Sequence, residues 1–316
     1  MNYAILNDGK TSMQLAWALR ALWLFNLWLV WCTYGISWEA ALALLLGAAT
    51  LTLTVVLASF ALAAAHASPR PDLHRLSAAA HLKLWLTEAW ACAMCFLVRQ
   101  VFPRKLGRNA GPTAPRSDHL PVLLIHGFTC NEAAMAPLWK RLSDKGFQAF
   151  THTMQPLYGS IEAYRDGIDA RIAEVLRLSG APQVNVVVHS MGGLAMRAWA
   201  RSNSDHATRV AKLVTIGTPH QGTALAQFGA GVNARQMELQ ADWWRNLPPV
   251  STLPFPVVSI YSHDDNIVAP QHSSEVPGAK WLAVSGVGHL RLLTSTLVFG
   301  YLLEELIQSS VSKASA

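Results

Sequence analysis

Around Ser190 the chain reads VVVHSMGGLA (residues 186–195): three β-branched residues, a histidine, the serine, a methionine and two glycines. A serine hydroxyl is a weak nucleophile at neutral pH. It becomes a useful one only beside a general base and a pocket that stabilises the anion its attack creates. The preceding run, QVNVVV, has the continuous apolar character of a buried strand, and the following GGLAMRAWARSN has helical spacing. A strand, a sharp turn and a helix centred on a serine push its Oγ clear of the sheet and bring a helix N-terminus close to it. Small residues at 192 and 193 allow that helix to start hard against the strand.

The chain has twelve histidines to serve as the base. His289, in SGVGHLRLL, follows the last strand-like run on a glycine-flanked loop, from which it can reach across the ends of neighbouring strands. His126 in an HG turn, His189 beside the serine but directed to the other face, and His220 in TPHQGT are read as structural, because catalytic work needs hydrogen-bond reach to Ser190. An acid must fix the tautomer of the base, and Asp264 and Asp265 both follow the run FPVVSIYS.

These residues need a scaffold, and residues 119–316 supply one. LPVLLIHG, FQAFTHTM, QVNVVVHS, RVAKLVTIG, FPVVSIYS and KWLAVSG read as six strands, mostly continuous apolar runs suited to burial on both faces. NEAAMAPLWKRLSDKG, SIEAYRDGIDARIAEVLRLSG and GGLAMRAWARSN alternate with them as helices. Strand alternating with helix predicts an α/β fold, a mostly parallel sheet flanked by helices with right-handed crossovers. In such sheets function collects at the carboxyl ends of the strands. Segment 221–250 breaks the rhythm and carries Phe228, Trp243 and Trp244; it reads either as a cap over an apolar pocket or as an excursion packed on the sheet.

VHSMGG before a helix, LLIHGF at a strand end, then IGTPHQGT, SHDDNIVAP and VSGVGHLRLL in that order resemble the α/β-hydrolase superfamily, in particular its bacterial lipases and esterases, over residues 119 to about 305. The resemblance implies an α/β-hydrolase fold with a Ser-Asp-His triad. Ser190 would be the nucleophile, His289 the base, and Asp265, three residues before the valine of a D-x-x-V-x-P segment, the acid in preference to Asp264. Backbone N–H groups of Phe128 and Met191 would form the oxyanion hole. Val188 is the departure: it stands where the family's G-x-S-x-G begins with glycine.

The N-terminal part differs in character. The whole chain is 52% hydrophobic and 14% charged, with a mean hydropathy of +0.24, too apolar for an ordinary soluble domain. Residues 21–38 carry no charge, and neither do residues 40–65. Each run is long enough for a hydrocarbon core that needs about 20 apolar residues, and Trp23, Trp28, Trp31, Tyr34 and Trp38 suit an interface. Residues 1–67 are therefore expected to be a membrane anchor of two transmembrane helices, 68–118 a juxtamembrane amphipathic and basic linker, and 119–316 the catalytic domain. AHA at 65–67 resembles a signal-peptide cleavage site but lies too far along the chain for one. Lys10 and Arg20 before the first span, and Arg70, Arg75 and Lys83 after the second, place the domain in the cytoplasm of a multi-pass protein of the bacterial inner membrane. Residues 84–98 are short for a span and contain Glu88, which favours an interfacial or core-packed helix.

Gly111, Pro112, Pro115 and Ser117 mark the linker. Arg99, Arg104, Lys105, Arg108 and Arg116 precede the globular part with no acidic residue among them, a set that would rest on anionic headgroups or simply act as a topology signal. No nucleic-acid-binding motif accompanies them. Cys32, Cys92, Cys95 and Cys130 lie in apolar settings and read as small buried or lipid-facing residues, not as disulfide, redox or metal sites. With no HExxH-type spacing, no metal or cofactor is expected. The function this predicts is a membrane-anchored serine hydrolase that cleaves carboxylic esters, lipase- or esterase-like, through an acyl-enzyme on Ser190, with a lipid or small-molecule ester as its substrate and membrane lipids as its surroundings. A thioesterase or acyltransferase would use the same triad; a noncatalytic membrane scaffold that kept the fold is the reading without chemistry.

Overall fold

The computed structural model describes residues 3–35, 37–69, 75–103, 119–201 and 208–314. Arg70, the linker markers Gly111, Pro112, Pro115 and Ser117, and the basic residues Arg104, Lys105, Arg108 and Arg116 lie outside them.

Two apolar helices come first, α1 (Tyr3–Tyr34) and α2 (Trp38–Ala65), with Ser37 capping α2 by accepting from the Ala40 amide at 3.2 Å. Leu15–Thr33 and Trp38–Ala65 are both long and apolar enough to cross a membrane, and leucines 42, 45, 46 and 51 of α2 are exposed. Arg20 of α1 donates to the Val101 carbonyl at 3.0 Å, and the Ser68 amide donates to Gln271 Oε1, also at 3.0 Å, so the start of the first apolar run and the end of the second both lie on the side of the globular domain. α3 (Ala78–Ala93) follows, continued by a π turn (Met94–Arg99). Glu88 of α3 is 1% exposed, so residues 84–98 are a helix packed on the domain core, as the charge within their apolar run requires.

The six expected strands form: β1 (Val122–Ile125), β2 (Ala149–His152), β3 (Val184–His189), β4 (Val210–Ile216), β5 (Val257–Ser262) and β6 (Ala279–Val284), in the order β2-β1-β3-β4-β5-β6. Every pairing is parallel. Burial on both faces accounts for their continuous apolar runs. Leu123, Ile125, Val186 and Val188 face one side, packing with Ile168 and Ile172 of α5 (Arg165–Ser179) and with Leu194 and Trp199 of α6 (Gly192–Ala200). Val122, Leu124 and Val187 face the other, against Leu138 and Leu142 of α4 (Ala136–Asp144) and Val298 and Leu302 of the C-terminal helix. The excursion after β4 holds two short helices, α7 (Val232–Gln236) and α8 (Asp242–Arg245), and α9 (Thr296–Ala314) closes the chain. Glu305 of α9 takes Lys212 of β4 at 2.8 Å and Lys280 of β6 at 2.5 Å.

The chain begins the sheet at β1, adds β2 on one side and then moves to β3 on the other. That reversal leaves a crevice beyond the carboxyl ends of β1 and β3, where Ile125 pairs with Val188.

Candidate active site

Ser190 follows β3 at φ 53°, in the left-handed region that a side-chain-bearing residue enters only under constraint. The constraint is visible on both sides of it. The Ser190 amide donates to the Ile216 carbonyl at 2.9 Å, and the Ser190 carbonyl accepts from Thr218 Oγ1 at 2.9 Å. α6 then starts at Gly192. The turn forms with valine at position 188, because Val188 lies in β3 with its side chain in the core and gives way to the helix only at Gly192, where an added Cβ would lie 3.2 Å from Val188 Cβ. Thr129, in the turn after β1, is also at positive φ, 54°. Backbone strain of this kind gathers at functional sites.

His289 stands on the loop after β6 and is 4% exposed. Its Nδ1 and Asp265 Oδ2 are 2.8 Å apart, so Nδ1–H donates to the carboxylate and Nε2 is left as the basic nitrogen. Asp265 is itself fixed: its Oδ1 accepts from the Ile267 and Val268 amides, each at 2.8 Å. Asp264 does other work, accepting from the Gly286 amide at 2.7 Å and so bracing the start of the histidine loop. Burial opposes protonation of His289, but Asp265 by charge and hydrogen bond, and Glu88 by charge, outweigh it and raise its pKa above the ordinary histidine value.

Ser190 and His289 line one cavity of about 200 Å³ together with Phe128 and His189. An added Cβ at Gly127 would be 2.7 Å from Ser190 Cβ, so the HisGlyPhe turn after β1 lies directly against the serine. Met191 stands at the position just before α6, next to the serine. The structure thus brings together all five residues singled out in the sequence: Ser190, Asp265 and His289, with Phe128 and Met191 flanking the serine. Such an arrangement can move a proton from a hydroxyl to an imidazole and meet a developing oxyanion with backbone donors.

Comparison with known proteins finds relatives over the same part of the chain. Residues 121–248 match the palmitoyl protein thioesterase family. A triacylglycerol lipase of Burkholderia plantarii is 29% identical over 156 residues, 44% of this chain and 41% of that protein. Triacylglycerol lipase 2 of Saccharomyces cerevisiae is 33% identical over 93 residues, 28% of each. The chain spans less than half the length of these curated relatives. Among solved structures, Bacillus licheniformis lipase BlEst2 in its mature form superposes with a TM-score of 0.54 at 15% identity, over 61% of this chain and 94% of that one. Aspergillus fumigatus lipase B gives 0.51 at 16% identity, over 65% and 54%. The chain has the α/β-hydrolase fold.

The three histidines read as structural, His126, His220 and His189, each have a hydrogen-bond partner. His126 donates from Nδ1 to the Gly127 carbonyl at 2.7 Å, and its Nε2 accepts from the Met154 amide at 3.0 Å. His220 meets Thr215 Oγ1 at 3.2 Å, and burial, then the Arg197 charge, push its pKa down to about 3. His189 is closer to the chemistry than its sequence position suggests. Its ring packs 4.6 Å from that of His289, and Nε2 donates to the His289 carbonyl at 3.2 Å. Burial above all, then the neighbouring His289, keeps His189 far below the ordinary pKa and therefore neutral. The Cys92 thiol is pushed up to about 12 by burial and then by Glu88, which leaves it inert at neutral pH.

Sequence reasoning missed Ser59, Glu88 and Asn266. Asn266 Nδ2 donates to Ser59 Oγ of α2 at 2.7 Å, while its Oδ1 accepts from the His289 amide at 3.0 Å. A carboxylate inside the apolar run 84–98 was the available signal for Glu88, because a buried charge needs partners. The excursion 221–250 divides in two. Thr223, Leu225, Ala226, Phe228 and Met237 join Val55, Ala58 and Leu62 of α2 around a second cavity of about 520 Å³ that also reaches Ser190. Trp243 and Trp244 pack instead on the core beside the sheet.

Proposed function

We propose that this chain is a membrane-anchored serine hydrolase that cleaves carboxylic esters bearing a long apolar acyl group. The observation that carries the reading is that a serine held at positive φ shares one cavity with a histidine whose other ring nitrogen is bonded to an aspartate. Ser190 Oγ attacks the ester carbonyl and His289 Nε2 takes its proton. Asp265 holds the imidazole in the tautomer that makes this possible and stabilises the imidazolium. The Phe128 and Met191 amides bind the oxyanion, the alcohol leaves with the proton from His289, and water releases the acyl group by the same steps in reverse order.

The second cavity supports the acyl part of the reading, because its walls are almost wholly aliphatic and aromatic. The apolar helices support the anchor. Residues of α2 line both cavities beside Ser190, and Ser59 of α2 is bonded through Asn266 to the histidine loop, which favours an α2 retained in the working protein over one removed as a signal sequence. The basic residues flanking the pair favour a cytoplasmic domain. The match to the palmitoyl protein thioesterase family favours a second reading, thioester cleavage by the same residues.

Intact mass of the detergent-purified protein after exposure to a fluorophosphonate tests the reaction class. One adduct on the wild type, absent from Ser190→Ala and His289→Ala, is the expected result, and matched ester and thioester substrates then separate the two readings. A folded wild type that takes no adduct would put the noncatalytic scaffold ahead.

A further inference from the structure

We propose that Glu88 is a positioning residue for this hydrolase: from α3 its carboxylate fixes the backbone of the loop that carries His289. The inference rests on the assignment of His289 as the base. Glu88 Oε1 accepts from the Leu290 amide at 2.8 Å and Oε2 from the Arg291 amide at 2.9 Å. Asn266 accepts from the His289 amide, so three successive amides, 289, 290 and 291, end on two side chains, and those side chains are tied to helices that precede the sheet: Glu88 stands on α3, and Asn266 is bonded to Ser59 of α2. The approach is close. An added Cβ at Gly288 would lie 2.5 Å from Glu88 Oε2, so the residue before His289 admits no side chain while Glu88 is in place.

A carboxylate accepting two amides from consecutive residues defines the path of the chain at that point as a helix cap does, and here the point adjoins the base. Its charge also acts on the imidazole. The titratable groups facing Glu88 are Cys92 one turn along its own helix, and His289 and Asp265 on the loops opposite. α2, which also packs on α3, carries only Glu39, at its other end. Burial, set against the two amide bonds, raises the Glu88 pKa to about 7. As pH falls through that value the carboxylate gains a proton and loses acceptor capacity towards the two amides, while His289 gains one as well. Two groups must then be deprotonated for full activity.

The test uses the full chain in detergent with a short p-nitrophenyl ester, comparing wild type, Glu88→Gln and Glu88→Ala. Gln has the same shape but can offer only one acceptor and no charge. Glu88→Gln should lower kcat by up to about 100-fold, the cost of a small misplacement of a catalytic group, with KM within about twofold. The acid limb of log kcat/KM should move to lower pH and become shallower. Hydrogen exchange of peptides covering 288–292 should rise in both variants, a readout that needs no ester hydrolysis. Unchanged exchange in Glu88→Ala overturns the proposal, as does a loss of kcat that follows the melting temperature with an unmoved acid limb. Faster exchange in an enzyme that neither hydrolyses esters nor takes a fluorophosphonate would leave Glu88 as the brace of the loop and reject the hydrolase reading instead.

Discussion

On the proposed mechanism, the pair His289–Asp265 sets the working pH of the site. His289 must be neutral to take the serine proton, and its pKa stands above the ordinary histidine value because the carboxylates of Asp265 and Glu88 favour the imidazolium more than burial disfavours it. Activity is therefore present above that raised pKa and lost as pH falls through it, beginning at a higher pH than an isolated imidazole would give. Asp265→Asn removes the charge and the tautomer control together. Its expected effect is a fall in kcat of about 10⁴-fold, with the remaining activity persisting to lower pH than in the wild type. A pH profile of kcat/KM for the two proteins checks both parts, and a fall in rate with no shift of the acid limb would mean that Asp265 does not govern the protonation of His289.

At the scale of elements, the turn between β3 and α6 works by contact. An added Cβ at Gly193 would lie 2.4 Å from Thr218 Cγ2, and Thr218 is the residue that holds the Ser190 carbonyl. Gly193→Ala must push Thr218 or α6 aside, which costs about 1–3 kcal/mol in a packed interior. The expected result is a lower melting temperature and an activity loss larger than destabilisation alone gives, seen by comparing residual kcat well below the melting transition. The glycine pair was legible in the sequence for this reason: a helix that starts immediately after a strand-end serine has no room for side chains at its first two positions. The six strands were legible because sheet burial on both faces writes itself as uninterrupted apolar runs such as VNVVV. The docking of α2 was not, and the core-packed helix expected over 84–98 came without the partners it meets. Periodicity and composition report that a face is apolar and not what covers it, so residues 40–65 read only as a membrane span and Glu88 only as an obstacle to crossing. The bonds Ser59–Asn266 and Glu88–Leu290 join positions more than 200 apart in sequence, and nothing local announces them.

Over the whole molecule, α2 and the sheet domain line the same two cavities. The 28 residues of α2 extend about 42 Å at 1.5 Å per residue, against a hydrocarbon core of about 30 Å. If α2 spans the membrane as proposed, the surplus leaves its C-terminal end free to meet the domain, and there Val55, Ala58, Ser59 and Leu62 form one wall of the larger cavity and Leu225, Phe228 and Met237 the other. Phe228 is 66% exposed at that cavity; in the proposed anchored enzyme this mouth would open at the membrane surface, and an acyl chain would pass through it from lipid to Ser190 without crossing water. Ala58 is exposed in this wall, so enlarging it fills the groove without disturbing the packed sheet. Ala58→Trp should leave hydrolysis of an acetyl ester near the wild-type rate and reduce that of a palmitoyl ester by about 10-fold or more, the scale on which a filled apolar pocket discriminates. Parallel kcat/KM measurements across acyl lengths read the effect directly. Equal rates for wild type and variant at every length would mean that the acyl chain takes another path, past α3 through the smaller cavity, while equal losses at every length would mean that the substitution had disturbed the serine and not the groove.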